Sequence, residues 1–158
     1  MGTRLKRSSL KRTSFKAKRS PIRYKAPRED STRDLESQLD ALTRKIVVRD
    51  AKICFSCGQG PREGDPFENG HLFTRTWRST RWEVNQLIRG ANCQPQHRSC
   101  NQAHEAHPGP YTRSYIEHFG AQAYVELSRR AASHHKFTFI ELLEMIEERE
   151  ALVSQGGQ

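Results

Sequence analysis

Long apolar runs are missing from this sequence, and cysteine is scarce. No stretch approaches the roughly 18 apolar residues of a membrane-spanning helix, and no charged segment leads into an apolar leader. We therefore expect neither a membrane span nor a secretory signal, and a cytoplasmic protein without a membrane partner. Four cysteines in 158 residues suit metal binding better than disulfides in that reducing compartment. With 34% hydrophobic residues, the chain can bury one modest core, which a metal site would help to stabilise.

Acidic residues are absent from the first 28 positions, which contain eleven Lys and Arg residues. This segment has too few apolar residues to build a core, so residues 1–30 are predicted to be a disordered basic arm. Such an arm can lie along a phosphate backbone and release its counterions. Nucleic acid is therefore the expected partner. A solubilising tail, or an arm that docks on an acidic protein surface, is the alternative interpretation.

Two pairs of soft metal ligands stand out in the rest of the chain, Cys54-x-x-Cys57 and His97-x-x-Cys100. A gap of two residues lets a tight turn present both side chains to one tetrahedral zinc, and three thiolates with one imidazole form a closed structural set. We therefore predict a structural Zn²⁺ at these four residues. Two alternatives stay open: the first pair could be a disulfide or redox pair, and Cys93 could replace His97 as a ligand.

The segment that follows the arm has the pattern of an amphipathic helix. Ser31-x-x-Asp34 resembles a capping box, and apolar residues then recur at spacings of three and four, which predicts a helix over about residues 32 to 50. Residues 61 to 70 are polar and contain Gly and Pro, which indicates a loop. His71 to Thr76 alternates apolar and polar residues, which predicts a short strand.

The second half of the chain is predicted to be mainly helical. Helical spacing, a glycine between two runs and a second capping box indicate four helices. The first helix begins at about His97 to Cys100. The second and third cover Tyr111 to Phe119 and Ala121 to Ala132, and the last begins at Thr138-x-x-Glu141. Residues 151–158 are expected to be a frayed tail. The predicted fold class is α+β, with a small zinc-stabilised core, flanking helices and the basic arm.

Several of these motifs together resemble the HNH endonucleases, whose core is a ββα-metal or treble-clef unit. Within that superfamily the chain most resembles the phage NinG and Rap recombination endonucleases. The motifs that carry the likeness are Cys54-Phe-Ser-Cys57-Gly58, Asn69-Gly70-His71, Asn92 to His97, Cys100-Asn101-Gln102, and the helices broken at Phe119-Gly120. The likeness covers about residues 35 to 150, and we predict one HNH-like domain over residues 31–150.

The resemblance implies a metal-dependent endonuclease that cuts branched recombination intermediates such as Holliday junctions or D-loops, in the cytosol of the phage's bacterial host. It implies that His71 is the general base, because a neutral imidazole can take a proton from water. It implies that Asn92 helps to orient this histidine. Asn101 matches the position of a catalytic metal ligand, and His104, one helical turn later, is a second candidate ligand. The expected catalytic cation is Mg²⁺ or Mn²⁺.

Gly70 departs from the commoner HNH pattern, which places a metal-binding Asp or Glu at this position. Glycine offers no side chain, so the cation must have fewer protein ligands or recruit one from elsewhere. The candidates for that ligand are His104, His107, Asp65, Glu68 and Glu83. A site rich in histidine would favour Mn²⁺, Ni²⁺ or Zn²⁺ over Mg²⁺.

Two functions from different classes are consistent with the sequence. One is the HNH-like endonuclease, and the other is a non-catalytic, zinc-stabilised module that binds nucleic acid through its arm. They differ only at His71 and Asn101. Symmetric cleavage of a four-way junction would require two active sites, hence a homodimer. The helix over residues 32 to 50 is a candidate dimer surface, unless it packs on its own core.

Arginine and tryptophan residues that follow His71 also allow two interpretations each. Arg75, Arg78 and Arg81 either grip phosphates or belong to a solvated basic loop. Trp77 and Trp82 either stack on unpaired bases or pack in the core.

Overall fold

The computed structural model of the protein describes residues 31–155. The predicted basic arm, residues 1–30, and the end of the chain, 156–158, lie outside the described residues. The described elements are α1 (Thr32–Arg49), β1 (Phe67–His71), a 3₁₀ turn (Arg78–Thr80), β2 (Cys93–His97), α2 (Arg98–His104), α3 (Gly109–Phe119), α4 (Ala121–Ala131) and α5 (Phe139–Gln155). This mixture of helices with a two-stranded sheet confirms the predicted α+β class. Between residues 31 and 155, no helix is long and apolar enough to cross a membrane.

Helix α1 begins at the predicted capping box and packs on α5. The Ser31 hydroxyl accepts a hydrogen bond from the Asp34 amide at 3.3 Å, and the Asp34 carboxylate accepts one from the Ser31 amide at 3.0 Å. The apolar face of α1 is covered within the chain, which confirms that this helix packs on its own core. The buried residues of this core are Leu35, Leu39, Leu42, Trp82, Leu142 and Ile146.

A second core joins α3 and α4 to the segment that follows β1. The two helices are separated at Gly120, as the sequence predicts, and its φ of 90° is a conformation that glycine adopts readily. The buried residues are Leu72, Tyr111, Tyr115 and Leu127. The Tyr111 hydroxyl is 3.3 Å from the backbone carbonyl of Gly70 and 3.0 Å from that of Asn92. Helix α3 is therefore hydrogen-bonded to the backbone of β1 and to the residue that precedes β2.

The predicted strand over His71 to Thr76 is wrong, because β1 ends at His71 and occupies part of the predicted polar loop. Strand β1 pairs with β2 in antiparallel register, from Phe67 opposite His97 to His71 opposite Cys93. After His71 the backbone turns, and the amide of Trp77 donates to the carbonyl of Thr74 at 2.9 Å. The chain bends here because the side chain of Asn92, the residue before β2, holds its backbone, as described below.

Helix α5 extends to Gln155, so the tail predicted from residue 151 is helical as far as the structure describes it. Arg49, at the end of α1, donates to the carbonyls of Leu152 at 3.1 Å and Val153 at 3.4 Å. Val153 also packs against the core between α1 and α5. These contacts give the last turn of α5 partners that the sequence pattern alone does not reveal.

Candidate functional site

The four predicted zinc ligands form one cluster. Cys54 and Cys57 lie in the turn between α1 and β1, His97 ends β2, and Cys100 lies in the first turn of α2. Their ligand atoms all lie within 4.8 Å of one another. Three thiols and one imidazole at this separation can hold a structural zinc with closed tetrahedral coordination.

Hydrogen bonds around the cluster fit a metal-bound state of its ligands. The His97 Nε2 atom lies 2.8 Å from the carbonyl of Gly60, so Nε2 carries the proton and Nδ1 faces the thiols. Metal-ligating imidazoles are commonly oriented in this way. The His97 amide donates to the Cys54 sulfur at 3.3 Å. Burial alone raises the pKa of Cys54, but the His97 amide and neighbouring hydrogen bonds lower that pKa on balance.

Cys93 does not belong to the cluster. This residue is buried in β2, and its thiol donates to the backbone carbonyl of Arg81 at 3.3 Å. Its sulfur is not among the ligand atoms that lie within 4.8 Å of one another, whereas the sulfur of Cys100 is. All four cysteines are free thiols. The structure therefore contains no Cys54–Cys57 disulfide and favours His97 over Cys93 as the fourth ligand.

A polar groove of about 570 Å³ opens beside this cluster, between α1, β1 and α2. Three predicted site residues, His71, Asn101 and His104, line it. The other lining residues are Asp40, Ala41, Arg44, Glu68, Asn69, Thr74, Arg75, Gln102 and Glu105. The β1–β2–α2 unit thus carries two of the four zinc ligands, His97 and Cys100, and three of the predicted site residues.

His71 is held by one ring nitrogen. Its Nε2 atom lies 3.0 Å from the backbone carbonyl of Arg81. A carbonyl can only accept, so Nε2 carries the proton and Nδ1 keeps its lone pair. Burial lowers the pKa of His71 to about 4, although the hydrogen bond to Arg81 opposes this change. The imidazole is therefore neutral at pH 7 and able to accept a proton at Nδ1.

Asn92 is fully buried and fixes the backbone that follows His71. Its side-chain amide donates to the carbonyl of Phe73 at 2.8 Å and accepts from the amide of Phe73 at 2.7 Å. Its backbone carbonyl also accepts from the amide of Leu72 at 3.1 Å. Both side-chain hydrogen bonds of Asn92 go to the backbone of Phe73 and not to the His71 ring. Asn92 therefore acts through the loop and does not face the groove.

His104 holds the same segment from the side of α2. Its Nε2 atom lies 3.1 Å from the carbonyl of Leu72, and its ring contacts Tyr111 with centroids 5.0 Å apart. The His104 side chain is only 8% exposed, and its Nδ1 atom has no partner among the described residues. His107, by contrast, is exposed and does not line the groove.

Asn101 lies next to an acidic residue of β1. Its amide nitrogen is 3.2 Å from Oε2 of Glu68, whose Oε1 accepts from Arg98 at 2.9 Å. These two hydrogen bonds, that of Arg98 first, lower the pKa of Glu68 despite partial burial. Glu68 is therefore an ionised carboxylate beside the predicted metal ligand. Its place on β1 was not predicted, because the sequence pattern assigns this segment to a loop.

The other acidic candidates are engaged elsewhere. Asp65 accepts from the amide of Ser99 at 2.9 Å and from its hydroxyl at 2.6 Å, so it holds the start of α2. Glu83 forms an ion pair with Arg130 at 2.8 Å. Neither Asp65 nor Glu83 lines the groove. Of the three carboxylates that the sequence suggested as metal ligands, Glu68 alone lines the groove.

The arginines after His71 differ in how closely they are paired with acidic residues of α1. Arg78 pairs with Glu36, and Arg81 pairs with Asp40 of α1 at 2.5 Å. Arg75 lines the groove with a side chain that is 66% exposed, and lies 3.9 Å from Asp40. Only Arg75 of these three is free to meet a phosphate without giving up a close ion pair.

The two tryptophans also separate. Trp82 is 1% exposed and donates to Asp40 at 2.7 Å, so it belongs to the core. Trp77 is 36% exposed, and its ring stacks on His134 with centroids 5.5 Å apart. The base-stacking interpretation is therefore still open for Trp77 alone.

The family described as "Bacteriophage Lambda NinG protein" matches residues 2–156. This match extends beyond the residues that carry the resemblance in the sequence and includes the basic arm. No curated protein sequence and no solved structure is significantly similar to the chain. Since the match spans nearly the whole sequence, the chain belongs to the bacteriophage lambda NinG protein family.

Proposed function

We propose that this protein is a metal-dependent endonuclease of the HNH type, with a ββα-metal core, that cuts branched DNA in the bacterial cytosol. The observation that carries the proposal is the groove in which His71 and Asn101 lie together beside the zinc-ligand cluster. Strand β1 ends at His71, and Asn101 directly follows the last ligand of the cluster. A zinc in the cluster would fix these two elements relative to each other.

His71 would be the general base. The carbonyl of Arg81 sets its tautomer, which leaves Nδ1 to take a proton from the attacking water. A bound phosphodiester would raise the pKa of His71, and a divalent cation in the same groove would lower it. The imidazole would therefore stay neutral at pH 7 and accept the proton only as the water attacks. Asn92 and His104 would support this geometry by holding the backbone of residues 72 and 73.

The oxygen and nitrogen atoms with free lone pairs that line the groove could bind a catalytic divalent cation. Asn69 Oδ1 and His104 Nδ1 are buried acceptors without partners among the described residues, and both residues line the groove. Asn101 adds a neutral amide oxygen. Such a cation, Mg²⁺ or Mn²⁺, would neutralise charge on the phosphate and on the leaving oxygen.

DNA binding would combine the basic arm with exposed arginines of the groove. Arg44 of α1 and Arg75 of the turn after β1 line the groove, and Arg44 has no ion pair among the described residues. The preference for branched recombination intermediates rests on the sequence resemblance to phage recombination endonucleases. Paired cuts across a junction would require a homodimer, which sedimentation of the protein with and without a junction would test.

A non-catalytic nucleic-acid-binding module is the second candidate. Apart from the four-residue cluster, the described part of the chain contains no group of three His, Cys, Asp or Glu residues close enough to hold a metal ion. A module of this kind would use the zinc cluster as a frame and the arm for affinity. It would bind a junction but leave it uncut.

Cleavage of a labelled four-way junction with Mg²⁺ or Mn²⁺ separates these two functions. We expect the wild type to nick the junction and His71→Ala to lose at least a hundredfold in rate, with unchanged zinc content and junction binding. His107→Ala, which removes an exposed histidine outside the groove, is the matched control and should cleave normally. Equal cleavage by His71→Ala and the wild type would contradict the assignment of the base. No cleavage by the wild type with either cation would favour the binding module.

A further inference from the structure

We propose that the exposed side of α5 is a docking surface for the chain's own basic arm, residues 1–30, and that DNA displaces the arm from it. This α5 surface lies outside the groove, so the proposal goes beyond the proposed function and holds whether or not the protein cuts DNA. The surface consists of Phe137, Ile140, Glu141, Leu143, Glu144, Met145, Glu147 and Glu148.

The α5 surface exposes apolar side chains that the core does not cover. Ile140 is 66% exposed and Leu143 39%. A hollow of about 390 Å³ lies beside them, lined by two apolar residues, Phe137 and Met145, and by three glutamates. Such a hollow fits a bulky apolar side chain that is flanked by lysine or arginine, whose aliphatic stems can cover the neighbouring apolar surface.

Helix α5 is also an acidic part of a chain whose net charge is +9. It contains five glutamates and one basic residue, Arg149, whose side chain is only 5% exposed. Within residues 31–155, only Glu141 and Glu148 of these glutamates form ion pairs. The α5 surface therefore presents carboxylates with little positive charge to balance them.

The arm has the complementary side chains. Its first 28 residues contain eleven Lys and Arg residues and no acidic one, and apolar residues are interspersed among them. The segment Ile22-Arg23-Tyr24-Lys25 alternates bulky apolar and basic residues. A second copy of α5 would bring like charges together, which is unfavourable. Charge therefore favours the arm over a dimer through α5.

The arm joins the described structure at the end of α5 that carries this surface. Leu35 and Leu142, each the fourth residue of its helix, belong to one core. At the other end, Arg49 of α1 is hydrogen-bonded to the carbonyl of Val153. The two helices therefore run in the same direction, and Ser31 lies at the end of the pair where α5 begins.

The arm is long enough to cover the α5 surface from there. An extended chain spans up to about 3.3 Å per residue, so the seven residues that separate Tyr24 from Ser31 can reach about 23 Å. The part of α5 that belongs to the surface, residues 139 to 148, is about 14 Å long. Because the arm is tethered, its effective concentration at the surface is on the order of millimolar, which makes even a weak contact populated.

DNA and the α5 surface compete for the same lysines and arginines. Attraction between exposed charges is screened by salt, and the phosphate backbone gains from the release of its own counterions when the arm binds it. A junction should therefore draw the arm away from α5. Without DNA, the docked arm keeps its charges from other anionic surfaces.

Photo-cross-linking of the zinc-loaded full chain tests the proposal. Tyr24 is replaced by the photoreactive residue p-benzoylphenylalanine, and cross-linked peptides are identified by mass spectrometry. We expect a product of monomer mass that joins the arm to residues 137–148. Its yield should fall about fivefold in Glu144→Lys, which turns an attraction between exposed charges into a repulsion, and should also fall when excess junction is added.

Glu117→Lys is the matched control, because it reverses an exposed glutamate of α3 outside the α5 surface. Its yield should stay close to that of the unaltered surface, and zinc content shows that each variant is folded. A covalent dimer would mean that the arm of a second copy is the occupant and would overturn the proposal. Cross-links that are absent, scattered over the chain, equally reduced in both Lys variants or unchanged by the junction would also overturn it.

Discussion

The zinc-ligand cluster and the polar groove both include residues of the β1–β2–α2 unit, but they differ in how their polar groups are hydrogen-bonded. In the cluster, ring and sulfur atoms are oriented by backbone groups, as when the Gly60 carbonyl accepts from His97. In the groove, Asn69 and His104 keep buried acceptors without partners among the described residues. A satisfied set of this kind indicates a structural frame, whereas unpaired buried acceptors indicate a place where a ligand binds.

Loss of the frame should have the largest effect. Cys54→Ala removes a fully buried ligand, and a structural zinc contributes on the order of 10 kcal/mol to folding, comparable with the whole stability of a small domain. We expect this variant to lose zinc and cooperative unfolding, as measured by metal analysis and by thermal melts followed by circular dichroism.

Cys93→Ala is the matched control for that experiment. It removes a buried thiol that lies outside the cluster, and should keep one zinc per chain and a cooperative melt. If Cys54→Ala retained stoichiometric zinc, the cluster would not be the metal site.

The next largest effect should be a difference in stability between alanine variants of two asparagines of the predicted site. Asn92→Ala leaves both backbone groups of Phe73 without their partner in a buried place, which should cost about 2–5 kcal/mol. Asn101→Ala loses one hydrogen bond at the wall of the groove and should cost less than about 1 kcal/mol. Chemical denaturation of the two zinc-loaded variants measures both values. Similar losses in the two would mean that the groove is as much a part of the frame as Asn92.

The frame could be predicted from the sequence because its signals are local. The Cys54 to Cys57 spacing, the His97 to Cys100 spacing and the capping box at Ser31 each depend on residues within three positions of one another. Each signal specifies an interaction, either a pair of metal ligands or a helix cap, between residues of a single turn of the chain. No knowledge of the rest of the fold is required for these features.

The groove could be predicted only in part because it depends on residues distant in sequence. The strand assignment failed at Phe73, since the hydrogen bonds that bend the chain there come from Asn92, which is 19 positions away in the sequence. The contact of Glu68 with Asn101 requires the register of β1 against β2, which no short pattern encodes. His71 and Asn101 were named because of their place in motifs, and not because their neighbours could be foreseen.

The pKa of His71 gives a pH test that is specific for the groove. Burial places the folded-state pKa at about 4, below the unfolded value of about 6.5. The unfolded chain therefore takes up the proton first, and stability is lost as the pH falls from about 6.5 to about 4. We expect the free energy of unfolding of His71→Gln to fall less over this pH range than that of the wild type, by up to about 3 kcal/mol.

Urea denaturation of the wild type and His71→Gln across that pH range measures the difference, and His107→Gln serves as the control for an exposed imidazole. Because both variants keep the four zinc ligands, loss of zinc at low pH affects them equally. Parallel curves for the wild type and His71→Gln would show that His71 titrates as an exposed group.

The smallest effect should distinguish the two kinds of arginine around the groove. Arg75→Gln removes a mostly exposed charge, whereas Arg78→Gln removes one that already pairs with Glu36. A phosphate contact made by Arg75 would release about one counterion, so its loss should reduce the slope of log affinity against log salt by about 1. Junction binding measured across a salt series should show this change for Arg75→Gln and an unaltered slope for Arg78→Gln. The reverse pattern would mean that Arg78 leaves Glu36 to bind DNA, and that the ion pairs with α1 belong to the binding surface and not to the frame.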